Sequence, residues 1–217
     1  MAKLELTKPT LIMLYGFPGS GKTYLANSLR DSIQAAHVNA DRIRYQLFEQ
    51  PRYDRAENEI VDQLMEYMTG EFLDAGVSVL FDTNAIKKGQ RRLLREIARK
   101  RKAQHLLIWL QIDPETSFAR VSHRDRRKSE DKMAQPLDKV EFDKITARMQ
   151  NPGLDEDYIV LSGKHSYLMH RTAIVRKLYD MKLIRTEGVS KNVAKPGLVN
   201  LVPLNNTNDV RRNIKIR

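Results

Sequence analysis

The stretch GFPGSGKT, Gly16 to Thr23, decides how the rest of the chain is read. It fits G-x-x-x-x-G-K-[ST] and stands where that pattern carries meaning, between an apolar run, TLIMLYGF (Thr10 to Phe17), and a stretch with helical spacing that extends to Ile33. Glycines let backbone N–H groups curl around phosphate oxygens, and the following helix turns its positive end toward them. Gly16, Gly19, Ser20 and Gly21 are expected to form that cradle. Lys22 would reach the β- and γ-phosphates and Thr23 would hold Mg²⁺ through its hydroxyl, so ATP and Mg²⁺ are the expected cofactors. A chance match to a glycine-rich turn is the competing reading, and the strand–loop–helix context weighs against it.

Working outward, short apolar runs recur: AAHVN (Ala35 to Asn39), VSVLFD (Val77 to Asp82), QHLLIWLQID (Gln104 to Asp113) and DYIVLSG (Asp157 to Gly163). Such runs suit strands covered on both faces. Helical patterns lie between them: Asp54 to Ala75, with Ile60, Leu64, Tyr67, Met68 and Phe72 as one stripe; Lys88 to Lys102; and Leu137 to Met149. The expected fold is α/β: a three-layer P-loop NTPase fold with a five-stranded, mostly parallel sheet and a helical lid. Residues 1–163 would form the domain, with the lid at about 114–136, a C-terminal helix within 164–186 (Tyr167 to Ile184) and a basic tail at 187–217.

Composition bounds the alternatives. The 217 residues carry 41% hydrophobic and 30% charged side chains, as soluble globular proteins do. No apolar run approaches the ~20 residues of a membrane span. The start, MAKLELTKPT, lacks the apolar core of a secretory signal. Cysteine is absent, which excludes disulfides and thiolate metal sites and fits a cytoplasmic location. The five histidines lack ligand spacing, and no structural metal is expected. Of the net charge of +11, the region from Leu161 onward holds 12 Lys/Arg against 3 Asp/Glu. That imbalance fits either a polyanionic partner such as a nucleic-acid 5′ end or a merely solvated basic surface.

Further candidates share the crevice that strand C-termini form in open α/β sheets. Asp41 follows the second strand in AAHVNADRIR (Ala35 to Arg44), placed to orient an attacking hydroxyl and accept its proton. Arg44, one helical turn on, could grip an anionic group of the acceptor. Asp41 could instead, or also, cap the helix Arg42 to Phe48. Asp82, followed by Thr83 and Asn84, would face the metal or the acceptor, or cap the next helix. Arg120 and Arg124 are four apart after Pro114, so one helical face would bring both guanidiniums to a transferring phosphoryl group.

Other features read as packing or solvated surface as readily as function. These are the basic cluster Arg91, Arg92, Arg95, Arg99, Lys100 and Arg101, the single Trp109, and Tyr15 and Phe17, which could support adenine. No N-K-x-D element for guanine recognition is present, and motor or AAA+ ATPases are usually longer than this chain.

GFPGSGKT, D-x-x-R (Asp41, Arg44), DTN (Asp82 to Asn84), R-x-x-x-R (Arg120, Arg124) and PLDKVEFDKITARM (Pro136 to Met149) together resemble the kinase domain of phage-type polynucleotide kinases. The likeness runs from about Leu11 to Ser162. P-loop kinases of the zeta-toxin and small-molecule groups share its less specific parts. The resemblance implies transfer of the ATP γ-phosphate to a 5′-hydroxyl of DNA or RNA. Asp41 would be the base, Arg44 would bind the acceptor phosphate, and Asp82 with Asn84 would support the acceptor. Arg120 would contact the nucleotide, and Arg124 the transferring phosphate. Unlike those kinases, the chain has no room for a phosphatase domain, and a basic tail follows instead. Two other readings stand beside this one: a kinase of a sugar, nucleotide-sugar, nucleoside or antibiotic hydroxyl, and a non-catalytic ATP-dependent switch or scaffold.

Overall fold

In the computed structural model, residues 4–83, 87–124, 132–153 and 155–184 are described. In chain order the elements are β1 (Thr10–Tyr15), α1 (Lys22–Ile33), β2 (Ala36–Asn39), α2 (Ala40–Leu47), α3 (Arg55–Asp74), β3 (Val79–Asp82), α4 (Lys88–Lys100), β4 (Gln104–Gln111), α5 (Pro114–Ser122), α6 (Lys139–Ala147), β5 (Tyr158–Ser162) and α7 (Tyr167–Asp180). The strands form one sheet in the order β2-β3-β1-β4-β5, and every pairing is parallel.

Central strand β1 shows why its sequence is uniformly apolar. All six of its residues are buried, and they alternate between two cores. Ile12 and Leu14 join Leu25, Leu29 and Ile33 of α1 with Ile174, Val175 and Leu178 of α7. Leu11, Met13 and Tyr15 face Val61, Met65 and Leu73 of α3 with Leu94 and Ala98 of α4. Helices therefore cover both faces, giving three layers, as a parallel sheet requires. Among the described residues no helix is long and apolar enough to cross a membrane.

Several expected boundaries move. Gly16 and Phe17 leave the first strand for the loop, and the third begins at Val79 rather than Val77. β4 ends at Gln111, because Asp113 caps α5 by accepting from the Thr116 N–H at 2.8 Å, with Pro114 as first residue. The final helix stops at Asp180, four residues early. On α3 the buried stripe is Glu57, Val61, Met65, Thr69 and Leu73, one position round from the expected one, and Ile60 and Tyr67 are exposed. That face carries a glutamate and a threonine, so side-chain hydropathy points to the wrong stripe.

The basic cluster on α4 is neither a solvated face nor free for nucleic acid at its inner positions. Arg91 is wholly buried and bidentate to Glu156, with Nε and Nη2 each 2.8 Å from a carboxylate oxygen. Its Nη1 donates to the Gln150 carbonyl at 2.8 Å, and its guanidinium lies 5.1 Å over the Tyr15 ring. Arg95 also pairs with Glu156. Arg101 donates to the Gly70 carbonyl and to Asp74. Arg91 and Glu156 thereby fix the Asn151-Pro152-Gly153 turn to α4. Trp109 packs between Tyr15 and Tyr158 as an aromatic of the second core.

A clasp joins the two ends of the described chain. Leu6 bridges to Ile184, Thr7 N–H donates to the Leu183 carbonyl at 2.9 Å, and the Thr7 hydroxyl donates to the Lys182 carbonyl.

Candidate active site

The phosphate loop is built from close approaches that only glycine permits. Gly16 has φ +149°, and a Cβ there would run into the Leu110 carbonyl and Ser20 Oγ. Gly19 has φ +84°, and its Cβ would fall 2.5 Å from the Ser117 carbonyl and 2.9 Å from Val121 Cγ2. Ser117 itself is buried and donates to the Pro18 carbonyl at 2.6 Å, so α5 holds the loop from above. Gly21 caps α1. Ser20 Oγ is buried without a hydrogen-bond partner, the kind of orphan that a cradle for polar ligand atoms leaves.

Lys22 is 8% exposed and folds back, donating from Nζ to the Gly16 and Phe17 carbonyls, each at 2.8 Å. Burial lowers its pKa to about 8; Arg124 adds to the lowering, and Asp82 and Asp41 oppose it. Thr23 is half-buried in the first turn of α1.

Asp82 ends β3 and is 3% exposed. Its Oδ2 accepts from Asn39 Nδ2 at 2.6 Å and stands 3.0 Å from His37 Nε2. Parallel pairing supplies both partners, since Asn39 of β2 is in register with Asp82. Asp82 therefore caps nothing, and α4 begins six residues later. Nor does Asp41 cap α2. Asn39 does so, accepting the Arg42 N–H at 2.7 Å, which leaves the Asp41 carboxylate for the crevice. Burial and the charge of Asp82 raise the pKa of Asp41 to about 6, against the pull of Arg124, Arg44 and Lys22.

Lys22, Asp41, Asp82 and Arg124 thus share one electrostatic site, each of the two shifted groups responding to the other three. The remaining expected residues divide. Arg124 does not share a helical face with Arg120, because α5 ends at Ser122 and His123 caps it. Arg124 lies beyond the helix and also donates to the Gln135 carbonyl at 3.4 Å, while Arg120 donates to the Gly163 carbonyl at 2.9 Å. Arg44 is 5% exposed beneath α3, with Nη1 3.0 Å from Glu57 and Nη2 donating to Asn58 at 2.5 Å. Asn84, the lid segment 125–131 and the basic tail lie outside the described residues. Tyr15 is in the core, and Phe17 meets Phe142 of α6 at 6.4 Å.

Sequence reading missed Glu57. It is 2% exposed, and burial raises its pKa. The Arg52 and Tyr53 N–H groups with the Arg44 and Arg52 side chains more than reverse that, bringing it to about 2. No local pattern marks it, although Asp54 with Glu57 at the start of α3 has the form of an N-cap and its N3 residue.

The donor set suits Mg²⁺ in one respect: Thr23 and Asp82 offer hard oxygens. Among the described residues no group of three or more His, Cys, Asp or Glu could hold a metal ion alone. An ion here would share substrate phosphate oxygens, as Mg²⁺ commonly does.

A P-loop kinase fold with a phosphate cradle and a carboxylate at the strand ends is the class that fold and site define. Residues 11–152 match the model of the AAA domain family, and the chain belongs to that family. Length therefore does not separate this chain from proteins bearing the AAA name, contrary to expectation. Solved structures share the fold. A sugar kinase from Janibacter sp. HTCC2649 is 19% identical with TM-score 0.58, covering 87% of this chain and 99% of that one. The Mycobacterium tuberculosis APS kinase CysC, in complex with AMPPNP and APS, is 16% identical with TM-score 0.59, covering 79% and 98%. The Pnkp1/Rnl/Hen1 RNA repair complex aligns at 22% identity and TM-score 0.51, over 65% of this chain and 44% of that one. No curated protein matches the sequence.

Proposed function

We propose that the protein is an ATP-dependent phosphotransferase acting on a hydroxyl of a small, uncharged or weakly charged acceptor, with Asp41 as general base. The observation that carries this is Asp41 itself: a half-buried carboxylate, tuned to about 6, in the same field as Lys22, Asp82 and Arg124. A scaffold that only binds nucleotide has no use for such a base. In the proposed step the acceptor oxygen bonds to the γ-phosphorus as the bond to the β,γ-bridging oxygen breaks. Asp41 takes the hydroxyl proton and ADP leaves. Lys22 and Arg124 hold charge on the transferring group. Thr23 and Asp82 would hold Mg²⁺, which supplies charge neutralisation between phosphates.

The acceptor class follows from charge. Glu57 and Asn58 engage the Arg44 guanidinium. Nearby Asp62 and Glu66 are half-buried carboxylates pushed up by burial, with Asp62 opposed by Arg44 and Glu66 raised further by Asp62. Acid-rich surroundings with a neutralised arginine favour a polyol or sugar over a polyanion, in line with the sugar-kinase likeness. The nucleic-acid 5′-hydroxyl is the second reading, favoured by the 12-to-3 basic excess from Leu161 onward. To separate them, the protein is incubated with Mg²⁺, γ-labelled ATP, a panel of sugars and polyols, and 5′-hydroxyl DNA and RNA oligonucleotides, beside Asp41→Asn. Label on a small hydroxyl compound, lost in the variant, is the expected result. Label on an oligonucleotide alone selects the second reading, and ATP binding with no product or hydrolysis overturns the kinase assignment.

A further inference from the structure

We propose that Tyr53 is an acceptor-binding residue whose phenolic hydroxyl, opposite the Asp41 carboxylate, donates a hydrogen bond to the acceptor and aims its attacking oxygen. The proposal rests on the phosphotransferase reading above.

Tyr53 lies in the connection between α2 and α3 with a left-handed backbone, φ +57°, which a bulky residue adopts at a cost of order 1–3 kcal/mol unless its surroundings enforce it. The surroundings here do so. The Tyr53 N–H donates to Glu57 Oε2 at 2.9 Å, and the preceding Arg52 N–H donates to both oxygens of the same carboxylate at 2.9 and 3.0 Å. From the other side the Arg44 guanidinium lies 4.7 Å above the Tyr53 ring while pairing with Glu57. One buried glutamate thus fixes the backbone of Tyr53 and the arginine that clamps its ring.

What this arrangement holds is a polar atom with nothing to do. The Tyr53 hydroxyl is buried and has no hydrogen-bond partner. Tyr45 acts on it electrically, but at a geometry short of a hydrogen bond. A buried hydroxyl left unsatisfied costs about 1–3 kcal/mol, and in native proteins such a group marks strain, water or a ligand. The Asp41 carboxylate lies close enough to add to the effect of burial in disfavouring phenolate. Tyr53 therefore stays a neutral donor at any pH at which Asp41 is ionised. Donor and base facing one cavity is what an acceptor hydroxyl requires, since its oxygen accepts one hydrogen bond while its proton leaves toward the carboxylate.

Tyr53→Phe keeps the ring beneath Arg44 and removes only the hydroxyl. With the acceptor found in the labelling panel, and with water as acceptor in an ATPase assay, kcat/KM for transfer should fall about tenfold or more. The ATP dissociation constant, the melting temperature and the acid limb of the pH profile should not move. A purely structural Tyr53 would instead lower the melting temperature in Tyr53→Ala and leave Tyr53→Phe as active as wild type, which overturns the proposal alone. Wild-type protein that binds ATP but neither hydrolyses it nor labels any probe overturns both Tyr53 and the phosphotransferase reading.

Discussion

At the scale of single residues the site is a balance of two opposed shifts. Asp41 must be ionised to accept a proton, and Lys22 must be charged to hold phosphate. With pKa values of about 6 and about 8, kcat/KM should trace a bell with limbs near those values, and Asp41→Asn should abolish the activity that defines it. The same shift has a stability cost. Because the folded pKa of Asp41 lies above the ordinary 3.8, its contribution is fully present below pH 4 and is lost as pH rises through about 6. Ionised Asp41 at pH 8 thus opposes folding by on the order of 2–3 kcal/mol. Asp41→Asn should raise the urea midpoint at pH 8 and leave it unchanged at pH 4; equal gains at both values would refute the account. Lys22 imposes a second cost. Its two loop carbonyls must release Nζ before it can reach a nucleotide, so binding exchanges hydrogen bonds instead of adding them.

Among elements, α5 and α6 carry the coupling between loop and lid. Phe142 is wholly buried in α6, its ring 5.3 Å from Phe118 of α5 and 6.4 Å from Phe17 of the phosphate loop. Lys139 lies over both helix rings. Phe142→Ala should cost about 3–5 kcal/mol and weaken ATP binding, measurable by calorimetry, because the loop loses its support. Gly19→Ala should be worse for binding than for stability, since its Cβ meets the Ser117 carbonyl that α5 presents. Legibility at this scale is uneven. The loop and the five strands could be read because local pattern specifies them. The break of α5 before Arg124 could not, nor could the one-position rotation of α3, because both depend on what a helix meets in space. Glu57 illustrates the limit: its pairing with Arg44 spans 13 positions and two helices.

The whole molecule is tied by one contact that sequence could not reveal. Arg91 and Glu156 are 65 residues apart and fully buried as a pair. Arg91→Met should destabilise by about 3–5 kcal/mol, because it strands Glu156 in the core. Adding Glu156→Gln should recover part of the loss; a double variant as unstable as the sum of the single ones would show that the pair is not coupled. The clasp of Leu6 on Ile184 has a different consequence. It sits before the start of β1, so it marks the end of the sheet away from the phosphate loop, by roughly 20 Å of strand at about 3.3 Å per residue. Entry and exit of the folded chain therefore meet at the pole opposite the chemistry. The molecule is topologically a nearly closed ring, and a circular permutant joined at that pole and opened in a surface turn would leave the crevice untouched.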